Sequence, residues 1–341
     1  MLSFINDYSE GAHPAILRRL AETNLEQLPG YGADHYCAEA KERIRRACAA
    51  PDADVWFMTG GTQTNQNVIA AITPPYAGVI AADNGHVNVH EAGAIESTGH
   101  KVLVLPGHDG RLDAEDVERF CADFYADANH EHMVFPGTVY ISHPTEYGTL
   151  YTTAQLQALA DVCHRYHMPL FLDGARLGYG LTAPDTDLDL SDIARIVDVF
   201  TIGGTKVGAL FGEAVVFTHE PAPKHFLTLI KQHGALLAKG WLLGLQFDTL
   251  FTDDLYLDIA RHANEQAGQI RDALRKKGYH LANDATTNQI LVVMDHSTID
   301  RLSRNLAMDF MEKVDAERNV MRICTSWATT QEHTDQLIDL L

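Results

Sequence analysis

Thr201-Ile202-Gly203-Gly204-Thr205-Lys206-Val207-Gly208 closes the mostly apolar run Val197 to Ile202. A short apolar run bounded by glycines reads as a buried strand ending in a turn, and a lysine in that turn holds its amine at the rim of the sheet. On its own such a lysine is as readily a solvated loop residue. Two other stretches change its meaning. Pro169-Leu170-Phe171-Leu172-Asp173-Gly174-Ala175-Arg176 is a second apolar strand, ending on an aspartate with an arginine three residues on. Trp56-Phe57-Met58-Thr59-Gly60-Gly61-Thr62-Gln63 is a strand, a glycine turn and the start of a helix.

The amine of Lys206 can act as a nucleophile toward a carbonyl carbon. The N–H groups of Gly61, Thr62 and Gln63 would open a helix without intrahelical partners and point at an anion, with the Thr62 hydroxyl as a further donor. Asp173 enters an apolar interior and needs a partner there, which a protonated pyridine nitrogen would supply. Nucleophile, anion and phosphate cradle are the parts that hold pyridoxal 5'-phosphate. Each has an ordinary alternative: a glycine turn before a helix is common without phosphate, Asp173 could cap the next turn, and Arg176 could form a structural ion pair instead of clamping a substrate carboxylate. The glycines lack the Gly-x-Gly-x-x-Gly spacing of a dinucleotide fold and the Gly-Lys-Ser/Thr of a nucleotide loop, which disfavours nucleotide cofactors.

The 341 residues, 46% of them hydrophobic, suffice for a large core with a smaller companion domain. Lys and Arg number 26 against 46 Asp and Glu, a formal charge of −20; so acidic a surface argues against nucleic acid as a partner. The cysteines at 37, 48, 121, 163 and 324 are scattered and form no Cys-x-x-Cys pair or zinc pattern, so no metal is expected. Free thiols, no basic-then-apolar opening and no bilayer-length apolar segment lead us to expect a cytoplasmic protein that does not meet a membrane.

Seven candidate strands run Val55 to Met58, Gly78 to Ala82, Val102 to Leu105, Val139 to Ser142, Leu170 to Leu172, Val197 to Ile202 and Ala214 to Phe217. Helical periodicity falls between most of them, at Thr62 to Ala71, Val87 to Thr98, Ala114 to Phe124, Ala154 to Tyr166 and Leu190 to Ile196. Short apolar strands alternating with helices predict an α/β fold with a mostly parallel sheet covered on both faces, and a site outside the carboxyl ends of its strands. Beyond the linker Thr218 to Pro223 the pattern predicts long helices over His225 to Phe247 and Leu255 to Lys277. A strand over Asn288 to Met294, a helix over Asp300 to Val314, a strand over Val320 to Thr325 and a helix over Gln331 to Leu341 complete a smaller α+β domain. The apolar excess around Trp241 to Phe247 predicts burial between domains or against a second subunit.

Gly85-His86-Val87-Asn88-Val89-His90-Glu91-Ala92-Gly93 offers imidazoles that could cover one face of a planar ring, but residue type alone does not separate His86 from His90 or His143.

The chain resembles the threonine aldolase and β-eliminating lyase family of pyridoxal-phosphate fold type I, the aspartate aminotransferase-like fold. Thr59-Gly60-Gly61-Thr62-Gln63-Thr64-Asn65 is similar to its phosphate loop, His86 with Glu91 and Gly93 to its stacking-histidine segment, and Leu172-Asp173-Gly174-Ala175-Arg176-Leu177 to its Asp-Gly-Ala-Arg-Leu string. Asn6-Asp7-Tyr8-Ser9-Glu10-Gly11 looks like the family's opening with asparagine for serine. Ser142-His143-Pro144-Thr145-Glu146 replaces its Glu-Asn-Thr-His, and Gly-Gly-Thr-Lys-Val-Gly its Ser-Lys-Gly. The resemblance implies that Lys206 is the Schiff-base lysine, Asp173 the pyridine partner and His86 the stacking ring. Arg176 and Arg322 would hold the substrate carboxylate with help from Asn6.

The resemblance further implies a large domain over 36–245, a small domain over 246–341, and an N-terminal segment 1–35 packed on the small domain and a dimer interface. A homodimer or homotetramer is expected, with residues from Tyr31 to Tyr36 lent across the interface. The implied reaction is cleavage of a β-hydroxy-α-amino acid to glycine and an aldehyde; His86, His143, Glu91 or water would take the hydroxyl proton. The alternatives are β-elimination or transamination and, from a different class, a scaffold that keeps the fold.

Overall fold

A computed structural model describes residues 1–341. The central sheet has seven strands: β1 (Asp54–Met58), β2 (Ala77–Ala82), β3 (Val102–Leu105), β4 (Phe135–Ser142), β5 (Leu170–Asp173), β6 (Val199–Gly203) and β7 (Glu213–Phe217). Their spatial order is β1-β7-β6-β5-β4-β2-β3. From β6 to β3 every pairing is parallel, and β7 is antiparallel to both β1 and β6. Side chains alternate across the sheet as strand geometry requires. Leu170 and Leu172 enter one apolar cluster and Phe171 the other; Phe200 and Ile202 face opposite to Val199. Both faces are covered, so these strands carry apolar residues at nearly every position.

A second sheet orders β10 (Asp309–Lys313), β11 (Arg318–Cys324), β9 (Gln289–Asp295) and β8 (His280–Leu281), all antiparallel. The N-terminus packs on this part: Leu2–Ser3 pairs with Leu306–Ala307, and Phe4 lies in the cluster formed by Ile290, Val292 and Ile323. The helix Leu255–Lys276 serves both bodies. Tyr256, Ile259 and Ala263 belong to the main core, and Ala267, Ile270 and Leu274 to the smaller one.

Three expected helices differ. Val87 to Thr98 is only the single turn His86–Val89 followed by the 3-10 turn Glu96–Thr98, because Ala92 and Gly93 adopt positive φ (52° and 74°) and end the helix. His225 to Phe247 divides into Phe226–Gln232 and Trp241–Leu250, parted at Gly234. The apolar excess of the latter is buried within the chain against helix His35–Ala47, where a Cβ on Gly244 would lie 2.4 Å from the Cys37 nitrogen. Asp300 to Val314 is a helix only to Leu302; Leu306, Met308 and Phe310 then alternate with period two across the strands Leu306–Ala307 and Asp309–Lys313, with Met308 between them. No helix is long and apolar enough to cross a membrane, and all five cysteines are buried and free.

Candidate active site

The carboxyl ends of β5 and β6 lie side by side and carry Asp173 and, three residues past Gly203, Lys206. Their approach depends on Gly174, where a Cβ would lie 2.0 Å from the Thr201 carbonyl oxygen; the Gly174 N–H donates to Thr201 Oγ1 at 2.7 Å instead. The Lys206 backbone is pinned by the Tyr179 hydroxyl, which donates to its carbonyl oxygen at 2.6 Å. Its side chain is half-buried and opens onto a cleft of about 540 Å³, also lined by Gly60, Gly61, Thr62, His86, Glu146, Arg176, Glu213 and Arg322.

Asp173 is buried and accepts from Asn65 Nδ2 (2.8 Å), the Tyr140 hydroxyl (2.7 Å) and the Ala175 N–H (2.9 Å). Burial alone would raise its pKa, but the His86 charge and these donors outweigh it and hold the carboxyl below its usual range. An anion is thereby kept at the floor of the site. His86 stands beside it, with Nδ1 2.7 Å from Glu91 Oε1, the oxygen that also accepts from Asn65. Burial opposes charge on this imidazole, yet the Glu91 hydrogen bond and the charges of Glu146 and Asp173 raise its pKa overall.

Helix Gly61–Ile72 points its N-terminus into the cleft and has no side-chain cap at Gly60. The first amide of this stretch with a backbone acceptor is that of Thr64, bonded to the Gly60 carbonyl, which leaves Gly61, Thr62 and Gln63 as donors toward the cleft. A Cβ on Gly60 or Gly61 would meet nothing within 4 Å, so bare backbone faces open space where an anion can approach. An anion cradle, a buried carboxylate and an amine on one cleft fit the phosphate, ring nitrogen and aldehyde of pyridoxal phosphate.

Several candidates sit differently than expected. Asp7 occupies the Nε/Nη2 edge of Arg176, accepting from Nε at 2.7 Å and Nη2 at 3.0 Å inside the protein, which leaves the Nη1/Nη2 edge for the cleft that Arg176 lines. Arg322 is the more available cation. Its Nη2 pairs with Asp309 at 2.6 Å at the cleft's edge, while its buried Nε has no partner. Asn6 spends Oδ1 on the Tyr8 N–H and the Ser9 hydroxyl and does not line the cleft. His143 is fully buried behind Pro144, its pKa lowered to about 4 by burial, which removes it from the proton-acceptor candidates. Glu91 is likewise buried behind His86. Tyr36 is buried with its hydroxyl on Glu26, and Tyr31 is exposed beside Lys231; neither lines its own chain's cleft, which leaves the expectation that this segment serves a neighbouring subunit untouched.

Two carboxyl groups escaped the sequence reading. Glu146 reaches the cleft from the turn after β4 and accepts from Ser142 Oγ at 3.3 Å; the only signal was its place in the segment that departs from the family string. Glu213 begins β7 and faces the cleft near Lys206 with Oε2 unpartnered. Burial raises its pKa to about 8, against the opposing effects of Thr205 and the Lys206 charge. The folded protein then holds a proton that the unfolded chain releases above its ordinary value of 4.5, so stability contributed by this group falls as pH rises from about 5 to about 8. Glu213→Gln is expected to flatten the fall in Tm across that window in pH-dependent thermal melts; an unchanged slope would show that Glu213 does not hold the proton.

The family model for beta-eliminating lyases matches residues 4–339. The chain belongs to that family. It is 42% identical to a threonine aldolase structure from Leishmania major, covering 100% of this chain and 98% of that one with a TM-score of 0.96. It is 29% identical to the low specificity L-threonine aldolase of Pseudomonas aeruginosa over 303 residues, 88% of this chain and 86% of that protein. Aspartate aminotransferase from Thermus thermophilus shares the fold at a TM-score of 0.71 and 16% identity. This family member therefore has the aminotransferase-like fold that its resemblance implies, and is a lyase.

Proposed function

We propose that the protein cleaves the Cα–Cβ bond of L-threonine or L-allo-threonine to glycine and acetaldehyde, with pyridoxal 5'-phosphate as cofactor. The observation that carries this reading is the placement of Lys206 and Asp173 on adjacent strand ends, beside a cleft walled by the bare N-terminus of helix Gly61–Ile72. Bound there, the cofactor supplies an aldehyde carbon and an electron-withdrawing pyridinium ring that accepts the electrons of the breaking bond.

The chain's own groups do the binding and the proton handling. The amides of Gly61 and Thr62 hold the phosphate, Asp173 holds the ring nitrogen protonated, and His86 covers the ring. Arg322, with the free edge of Arg176, binds the substrate carboxylate in exchange for Asp309; Asn6 shapes the turn that presents Asp7. We assign Glu146 as the acceptor of the β-hydroxyl proton. His86 also lines the cleft, but its ring is committed to covering the cofactor, with Nδ1 held by Glu91. Glu146→Gln is expected to lower kcat for threonine cleavage by about 10²–10⁴-fold, the usual range for a lost general base, while leaving cofactor absorbance intact. Undiminished kcat would move the role elsewhere.

An assembly of two or four copies, with the cleft at a subunit boundary and Tyr31 on its rim, fits the exposed apolar depression formed by Tyr31, Leu227 and Leu236. Segment 1–35 then lies between the small domain, 246–341, and the interface, with 36–245 as the cofactor-binding body. Five free thiols suit a cytoplasmic setting.

The test is a visible absorbance scan of the purified protein before and after L-threonine, coupled to an aldehyde assay. Cofactor absorbance that responds to threonine, with glycine and acetaldehyde formed in equal amounts, is the expected result. Pyruvate from serine without aldehyde from threonine would replace cleavage with β-elimination, and a keto-acid requirement would replace it with transamination.

A further inference from the structure

At the opposite end of the strand that delivers Lys206, three side chains converge that the cleavage chemistry does not use. Asp198 precedes β6, His219 lies just past β7, and His164 sits in the last turn of helix Thr153–Arg165. The antiparallel register of β6 with β7 sets Val199 opposite Phe217 and so brings residues 198 and 219 to one corner. His164 Nε2 is 3.2 Å from both Asp198 oxygens, and His219 Nδ1 is 3.1 Å from Asp198 Oδ1. The ligand atoms of the three residues all lie within 4.8 Å of one another.

The hydrogen bonds around this corner leave an electrostatic conflict. His219 Nε2 lies 3.1 Å from the Arg195 carbonyl oxygen, which can only accept, so the ring hydrogen sits on Nε2. In that tautomer Nδ1 directs its lone pair at the Asp198 carboxylate, a repulsive contact unless a positive centre lies between them. A second proton on His219 would relieve that contact alone. A metal ion would relieve it and also engage His164, which approaches the same carboxylate from another side.

We propose that His164, Asp198 and His219 form a binding site for a divalent transition-metal ion, with Zn²⁺ as the favoured occupant. Two imidazoles and one carboxylate are borderline donors suited to zinc and its late transition-metal neighbours, whereas Mg²⁺ and Ca²⁺ require all-oxygen shells. Ligand bonds of about 2.0–2.1 Å at tetrahedral angles separate neighbouring ligand atoms by about 3.3 Å. The two N···O separations of 3.1 and 3.2 Å are already edges of that tetrahedron. The half-exposed His164 ring closes the remaining edge by rotation, and solvent supplies the fourth ligand.

The outer contacts match those that orient metal ligands elsewhere: His219 donates its other N–H to a backbone carbonyl, and Asp198 Oδ2 accepts from the Leu170 N–H at 2.8 Å. No local motif announces this site, because its ligands are 34 and 21 residues apart in sequence. An ion here ties the end of one helix to the entrance of β6 and the exit of β7, and so braces the base of the strand whose far end positions Lys206.

The experiment uses untagged holoenzyme freed of metal with a chelator and titrated with Zn²⁺ by calorimetry, with Tm recorded in parallel. Cobalt substitution reports ligand geometry by its visible d–d bands. The expected result is one tight equivalent of Zn²⁺ per chain, a rise in Tm that Mg²⁺ does not reproduce, and tetrahedral cobalt bands. His164→Gln and His219→Gln should each weaken binding by at least about tenfold, since loss of even an outer-shell partner costs ~10–100-fold, with threonine cleavage unchanged. Absence of stoichiometric binding to the wild-type protein, affinity undiminished in both variants, or an equal Tm rise with Mg²⁺ would each overturn the proposal.

Discussion

Lys206→Ala is expected to lose the visible absorbance of bound cofactor and to lower threonine cleavage by about 10⁵-fold, the scale of advantage that a well-placed intramolecular group has over one from solution. The fold should survive. The half-buried side chain has no hydrogen-bond partner, and the Tyr179 contact that pins this turn goes to the backbone carbonyl, which alanine retains. Thermal melts of the apoprotein should therefore match the wild type within a few degrees, and added small amines should restore part of the rate. A variant that keeps both absorbance and cleavage would remove Lys206 from the chemistry, and with it the proposed reaction.

Asp173→Asn removes the charge proposed to keep a ring nitrogen protonated and should lower kcat by about 10²–10³-fold, comparable to losing one preorganised electrostatic partner. It also disturbs hydrogen bonding. Asn65 and Tyr140 both donate to Oδ2 while the Ala175 N–H donates to Oδ1, so whichever way an amide is turned, its NH₂ faces a donor. That mismatch costs about 1–3 kcal/mol of stability, readable in urea denaturation. Asp173→Glu keeps the charge but displaces it, and separates the two effects. If Asp173→Asn lost stability without losing kcat, Asp173 would be a structural residue and the ring-nitrogen contact would fail.

The residues legible in the sequence were those whose chemistry is declared by a local frame. Lys206 between glycines, Asp173 at the end of an apolar run and Gly61 before a helix each carry their context within a few positions, and the seven strands could be read from near-continuous apolar runs. Glu146, Glu213 and Asp7 could not be read so, because the meaning of a carboxylate depends on partners far away in sequence: Arg176 for Asp7, the Lys206 turn for Glu213, the cleft itself for Glu146. Nor does anything near Arg176 in sequence reveal that Asp7 takes its Nε/Nη2 edge and leaves the other edge for the cleft. The misread helices had local causes. Positive φ at Ala92, Gly93 and Gly234 breaks a periodicity that otherwise continues, and the two-residue alternation of Leu306, Met308 and Phe310 was hidden within a longer stretch read as helical.

The helix Leu255–Lys276 carries a mechanical consequence. Its 22 residues form a continuous rod about 33 Å long, rooted at one end in the body that bears Lys206 and at the other in the body that bears Arg322. A sharp kink in its middle would sacrifice ladder hydrogen bonds, so the bodies that carry the amine and the guanidinium are coupled through one continuous element. On the proposed reaction, enlarging residues at the mouth of the cleft should shift preference toward smaller aldehydes, since Arg322, assigned to the carboxylate, lies on the body opposite Lys206.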